Sequence, residues 1–267
     1  MRECDALLAA GEIARDDLSQ WVEEHYREAA NAVIDLLATV GASLRGRRVA
    51  DVGCGDGLID LGLVHRAQPS ELVGYDIEPT DEKQLIRAAR AAGIADELPR
   101  NLRFEQAYAD RIPADDASFD VVVSWSVFEH APDPLLLARE IRRIMRHDGH
   151  LFLQVWPFYF SEHGSHLWDW FPGEGFVQLR LDAADVERTV RENAGRLGPE
   201  WARAQAETFR TLNRLTLDGL ERSLMLAGFR VSRLELISNA VLIPIEAARQ
   251  PLSDLMIGGV KLVAEPA

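Results

Sequence analysis

Apolar residues along this chain recur with two different periods. From Asp17 to Leu44 they fall at three- and four-residue steps (Leu18, Trp21, Val22, Ala29, Val33, Leu36, Leu37, Val40), which predicts a helical N-terminal segment. Beyond it, short apolar runs closed by glycine, proline or an acid alternate with amphipathic stretches. RVADVG (48–53), ELVGYDIEP (71–79), NLRFEQAY (101–108), SFDVVVSWS (118–126) and GHLFLQVW (149–156) read as strands. LIDLGLVHRA (58–67), DEKQLIRAARAAG (81–93) and PLLLAREIRRIM (134–145) read as the helices between them, with Gly93 as a C-terminal stop. The fourth run is β-branched and apolar on both faces, as suits a central parallel strand.

Strands alternating with helices at this spacing predict βαβ units and a parallel sheet covered on both faces. The rhythm breaks after Trp156: residues 157–181 are aromatic-rich and irregular, and 183–216 read as one or two helices. It resumes with a helix over LTLDGLERSLMLAGF (215–229), ending at Gly228, and two last strands, FRVSRLELIS (229–238) and MIGGVKLVAEP (256–266). The expected fold class is α/β, a doubly wound, seven-stranded, mostly parallel sheet in a single domain, 1–267. Within it we expect an N-terminal helical cap (1–45), a core (46–156), an insertion after strand five (157–216) and a segment that returns to the sheet (217–267).

Composition narrows the chemistry. At 267 residues and 47% hydrophobic, the chain can bury one large core. No apolar run approaches the roughly 20 residues needed to span a bilayer, so no membrane partner is expected. The opening MRECDALLAAGEIARDD lacks a signal-peptide plan, and only Cys4 and Cys54 are present, the second inside a glycine turn. A cytoplasmic protein without a disulfide framework is the expectation. The net charge of −14, with only short basic clusters at RGRR (45–48) and RRIMRH (142–147), argues against nucleic acid and for a small-molecule substrate.

The stretch VADVGCGDG (49–57) places glycines at alternate positions behind a strand, where bare backbone can approach a ligand. A dinucleotide fingerprint wants its third glycine at position 58, which is Leu58, and no Gly-Lys-Ser/Thr triplet for phosphates exists in the chain. What remains is Asp51-x-Gly53-x-Gly55-x-Gly57, followed by Asp76 closing the second strand. In these residues the chain resembles the class I S-adenosylmethionine-dependent methyltransferases, well over 48–156 and more loosely over the last two strands.

The resemblance implies S-adenosylmethionine as cofactor. Asp51 then serves its positive amino-acid portion, Gly53, Gly55 and Gly57 lie against ribose and methionine, and Asp76 accepts the ribose hydroxyls. Ile77 would contact an adenine face, and Ser124 and Trp125, after strand four, would line the methionine end through backbone contacts. One departure stands out. The family pattern after strand three carries an Asp for the adenine amino group, whereas this chain reads Ala107-Tyr108-Ala109-Asp110. Either Asp110 reaches the amino group, or Tyr108 supplies an aromatic edge beside backbone at Ala109, or Tyr108 is core packing.

Methyl transfer needs alignment above all, and a hydroxyl acceptor also needs a base. Candidates are His130, in SVFEHAPDP after strand four, and His163 and His166, in the aromatic stretch WPFYFSEHGSHLWDWFPGEG (156–175). The Glu129-His130 pair also reads as a structural brace for its loop, and the aromatic stretch as either a pocket or the base of a lid. His163-x-x-His166 with Asp169 matches no standard zinc spacing, so no metal is expected. Trp21, His25 and Tyr26 can share a helix side; core packing accounts for them, and a lid role would bring Tyr26 to the cofactor or acceptor. The acidic insertion suits a homo-oligomer interface as readily as a pocket. The leading expectation is a hydroxyl-directed small-molecule methyltransferase. Transfer to nitrogen or a carboxylate is the alternative, as is a protein that binds the cofactor without transferring a methyl.

Overall fold

The five apolar runs of the first half pair edge to edge in the computed structural model, which describes residues 20–193, 198–238 and 240–267. Strands β1 (Arg48–Val52), β2 (Glu71–Asp76), β3 (Leu102–Gln106), β4 (Phe119–Trp125) and β5 (Met145–Val155) run parallel. β6 (Phe229–Ser238) and β7 (Ile257–Pro266) complete a seven-stranded sheet of order β3-β2-β1-β4-β5-β7-β6, with β7 antiparallel to both neighbours. The strand order reverses between β1 and β4, so the loops leaving those strands diverge and open a crevice at the carboxyl edge.

Among the described residues the α-helices are α1 (20–38), α2 (Leu58–Ala67), α3 (Glu82–Ala91), α4 (Pro134–Ile144), α5 (Val177–Arg180), α6 (Ala183–Glu192), α7 (Pro199–Thr211), α8 (Leu217–Leu226) and α9 (Leu252–Met256). One face of the sheet packs Val49, Val121 and Phe152 against Val33, Leu37 and Leu61 of α1 and α2. The other packs Ala50, Val122 and Leu151 against Ile141 of α4 and Leu220 of α8. Burial on both faces explains why β1 and β4 read as continuous apolar runs. Asp81, Asp133 and Thr216 cap α3, α4 and α8 by accepting hydrogen bonds from first-turn amides, which starts each helix where its apolar period begins.

Several boundaries differ from the sequence expectation. The first helix ends at Ala38 rather than Leu44, because the chain turns through Gly41 at a φ of 78° and Ala42 bonds back to the Leu37 carbonyl. Its expected first residues, Asp17, Leu18 and Ser19, and likewise Cys4, lie outside the described residues. β5 begins at Met145 instead of Gly149, and its pairing with β4 breaks over the polar Arg146–Gly149 stretch that hid this start. β3 stops at Gln106 because the next residues fold into a turn. The insertion after β5 builds a small core of its own from Leu167, Trp170, Phe171, Val177, Val186 and Val190.

Candidate functional site

The glycine turn is tied to β2 before any ligand is considered. The Gly53 and Cys54 amides both donate to the Tyr75 carbonyl, at 2.7 and 3.2 Å. Gly53 (φ 84°) and Gly57 (φ 80°) occupy the left-handed region, and there is no room for a side chain at either. A Cβ at Gly53 would strike Val127, and one at Gly57 would strike Phe104 and Leu85. The Gly55 amide donates to Asp76 Oδ2 at 3.0 Å, while Asp76 Oδ1 accepts from the Glu78 amide at 3.0 Å. Burial raises the Asp76 carboxyl and these two amides oppose it. Trp21 of α1 donates its indole N–H to Asp56 Oδ2 at 2.9 Å, latching the first helix onto the turn.

Asp51 sits at the end of β1, only 1% exposed, and its Oδ1 has no hydrogen-bond partner. Ile77 and Tyr108 stand at the ends of neighbouring strands β2 and β3, exposed by 60% and 65%. That exposure corrects one reading, since Tyr108 is not core packing. Tyr108 and Arg111 exchange backbone hydrogen bonds of 2.9 and 3.2 Å, which puts Ala109 and Asp110 at the tip of a tight turn. A second correction concerns Ser124 and Trp125, which lie inside β4 and not after it. Ser124 is fully buried and spends its hydroxyl on the Val52 carbonyl at 3.0 Å, bridging β1 and β4. The Trp125 ring stacks on Phe152 with centroids 6.0 Å apart.

The loop after β4 therefore begins at Ser126, whose φ of 53° is strained for a residue with a side chain. Its hydroxyl donates to Gln154 Oε1 at 2.7 Å. Val127, the residue against Gly53, offers its carbonyl to the His130 amide at 2.9 Å. Between them, Glu129 is buried and neither carboxyl oxygen receives a well-formed hydrogen bond. Burial pushes it up to about 8, so it is largely neutral at pH 7.

Three histidines converge beside this loop. The His130 and His166 rings are 5.0 Å apart, and His166 lies 6.0 Å from Trp168. Trp168 in turn is 5.5 Å from Trp156, which is 5.9 Å from His163. Burial lowers His130 to about 4 and His166 to about 3, so both rings are neutral at physiological pH. His163 is more open, with Glu162 Oε2 at 3.7 Å from its Nε2. The aromatic stretch thus divides: Trp156 and Trp168 line this cluster with the histidines, whereas Trp170 and Phe171 enter the insertion's core. Among the described residues no three His, Cys, Asp or Glu side chains gather as metal ligands would. On α1, Trp21 and His25 stack at 3.8 Å, while the Tyr26 hydroxyl is taken by His65 Nδ1 at 3.0 Å.

Three residues that the sequence reading passed over shape the site. Ser126 starts the strained loop. Asp60 is fully buried in α2, and its signal was a lone acid within the apolar run LIDLGLV. Asn213 donates its side-chain amide to the Phe128 and Ala131 carbonyls at 2.6 and 2.8 Å, and its backbone amide to the Glu129 carbonyl at 3.1 Å. Nothing local in the sequence marks this clamp on the 128–131 loop, because it closes across the whole insertion.

Comparison with known proteins bears on the fold and the family. The profile of a methyltransferase domain family matches residues 22–234. A ubiquinone biosynthesis O-methyltransferase of Alkalilimnicola ehrlichii is 29% identical over 191 residues, covering 71% of this chain and 72% of the relative. That of Xanthomonas oryzae pv. oryzae is 32% identical over 112 residues, 42% of this chain, and the match spans only 44% of that relative's length. Among solved structures, a Haloferax volcanii methyltransferase in complex with the Trm112 activator superposes with a TM-score of 0.57 at 20% identity, covering 99% of this chain and 97% of the other. No helix among the described residues is long and apolar enough to cross a membrane. With the family profile spanning most of the chain, and the glycine turn and the strand-end acids set on a seven-stranded doubly wound sheet, the chain belongs to the class I S-adenosylmethionine-dependent methyltransferases.

Proposed function

We propose that the chain transfers a methyl group from S-adenosylmethionine to a hydroxyl of a small-molecule acceptor. The observation that carries this reading is the contact between the two halves of the site through Val127. This residue abuts Gly53 on one side and bonds the His130 amide on the other. A nucleoside-type cofactor with a cationic amino-acid end fits the residues present. The turn leaves bare backbone, Asp51 Oδ1 is unpartnered, and Ile77 and Tyr108 expose apolar surface beside Asp76. When bound, S-adenosylmethionine supplies an electrophilic methyl on a sulfonium.

The chain's own residues would do the rest. Asp51 faces the ammonium, and Asp76 accepts the ribose hydroxyls on the lone pairs that the Gly55 and Glu78 amides leave free. Ile77 and Tyr108 cover the adenine, with Asp110 and the Ala109 backbone at its polar edge. Trp156 and Trp168 wall the acceptor, and the neutral His130 and His166 rings pack beside them. His163, the most open of the three rings and 3.7 Å from Glu162, takes the hydroxyl proton, whereas charging His130 or His166 would oppose their burial. The relatives' description as O-methyltransferases supports oxygen over nitrogen.

Calorimetry with S-adenosylmethionine, followed by labelled-methyl transfer to a panel of hydroxyl, amine and carboxylate acceptors, tests the proposal. We expect micromolar binding and transfer to hydroxyls. Binding with no transfer to any acceptor would favour a protein that only holds the cofactor.

A further inference from the structure

Two carboxyls lie buried together beneath the glycine turn. Asp51, next to last in β1, is 1% exposed, and Asp60, in the first turn of α2, is fully buried. Asp51 Oδ1 and both Asp60 oxygens lack an N–H or hydroxyl donor from any other residue. The two carboxyls face each other, and each acts on the other's protonation. Among the described residues no basic side chain forms an ion pair with either. The groups that face them are Asp76 from β2, Asp56 from the turn and the Cys54 thiol, which burial keeps protonated. From α1, the Trp21 indole N–H is spent on Asp56. His65 is on the last turn of α2, bonded to Tyr26.

Two adjacent carboxylates without a cation or donors cannot both stay ionised in such a place, because each is desolvated and repels the other. One proton between them changes this, turning one carboxyl into the donor that the other lacks. We propose that Asp60 is a positioning residue, a neutral carboxylic acid that donates a hydrogen bond to the Asp51 carboxylate and holds it for a cationic group of the cofactor. Asp60 is the member that keeps the proton. It is flanked by Asp51 and Asp56, whereas Asp51 lies beside the turn where the ammonium is to bind. Burial accordingly lifts Asp60 well above the carboxylate range and Asp51 only to about 7. The inference rests on the proposed cofactor reading for the identity of that cation.

The consequence is competition between a proton and the ligand's cation for Asp51. Affinity is lost as pH falls through the Asp51 midpoint, and above it levels off until the ligand's own ammonium titrates. The experiment measures binding of S-adenosylmethionine, S-adenosylhomocysteine and 5′-methylthioadenosine by calorimetry from about pH 5.5 to 8.5. It uses the wild type, Asp60→Asn, which keeps a donor, and Asp60→Leu, which has none. Wild type and Asp60→Asn should share a midpoint near neutrality. In Asp60→Leu the midpoint should rise by about one unit and affinity at neutral pH fall about fivefold. 5′-Methylthioadenosine, which has no ammonium, should be insensitive to pH and to both changes.

Equal losses in the Asn and Leu variants with an unmoved midpoint would reduce Asp60 to packing and overturn the proposal. Tighter binding in Asp60→Asn would overturn it too, by showing that Asp60 is ionised. Carboxyl-carbon NMR titration of the unliganded protein decides the question even if Asp60→Leu fails to fold. A carboxyl that stays protonated past neutrality and vanishes in Asp60→Asn supports the proposal, and its absence overturns it. If neither S-adenosyl ligand binds the wild type, the cofactor reading falls, while this titration still judges the Asp60 proton.

Discussion

The two halves of the proposed site are built from different material. The cofactor half is a single turn between β1 and α2 with the strand ends beside it, held by backbone hydrogen bonds and three glycines. The acceptor half is assembled from the loop after β4, the first residue after β5 and an insertion with its own core, so that His130 meets His166 across thirty-six positions. The first half depends on backbone shape, which tolerates no added atoms. The second depends on side chains whose protonation is governed by burial. This difference predicts that the cofactor half fails through sterics and lost hydrogen bonds, and the acceptor half through chemistry.

The largest effect should come from the acceptor half. His163→Ala should lower turnover by about 10²–10⁴ with cofactor affinity nearly unchanged, as loss of a general base does. Full activity in that variant, with a drop in His130→Ala or His166→Ala, would move the base into the buried pair. Next, Gly57→Val should cost about 2–5 kcal/mol in chemical denaturation, from left-handed strain plus overpacking against Phe104 and Leu85. A smaller loss than that would mean that the turn shifts freely and that its backbone shape is not what matters.

Asp76→Ala should weaken cofactor binding by about one to two decades, roughly 1.5–3 kcal/mol, measured by calorimetry. Glu129→Gln tests the electrostatic side of the comparison. The folded Glu129 carboxyl titrates at about 8, above its ordinary 4.5, so its contribution to stability is full below the lower value and lost as pH rises through the upper one. The glutamine variant should therefore melt higher than wild type at pH 8, by about 1–3 kcal/mol in stability, with the gap closing towards pH 5. A gap independent of pH would indicate packing alone. The smallest effect belongs to the adenine edge. Asp110→Asn should weaken binding by about 0.5–1.5 kcal/mol and Tyr108→Phe by less. The reverse ranking would assign that edge to the tyrosine.

What could be read from the chain alone was whatever depends on neighbours in sequence. Apolar runs marked all seven strands and the break after Trp156, most plainly at β1 and β4, which are buried on both faces and apolar nearly throughout, and least at the exposed β6. Asp51, the three glycines and Asp76 were legible because a glycine turn and the strand beside it are set by residues within one βαβ unit. The histidines were visible as candidates but not as a cluster. The packing of the insertion decides which of Trp168, Trp170 and Phe171 turns towards His166. Only the tertiary structure could bury Ser124 between β1 and β4, expose Tyr108, clamp the 128–131 loop with Asn213 and set Asp60 against Asp51. Each of those depends on desolvation or on contacts between distant segments, quantities that do not exist until the chain has folded.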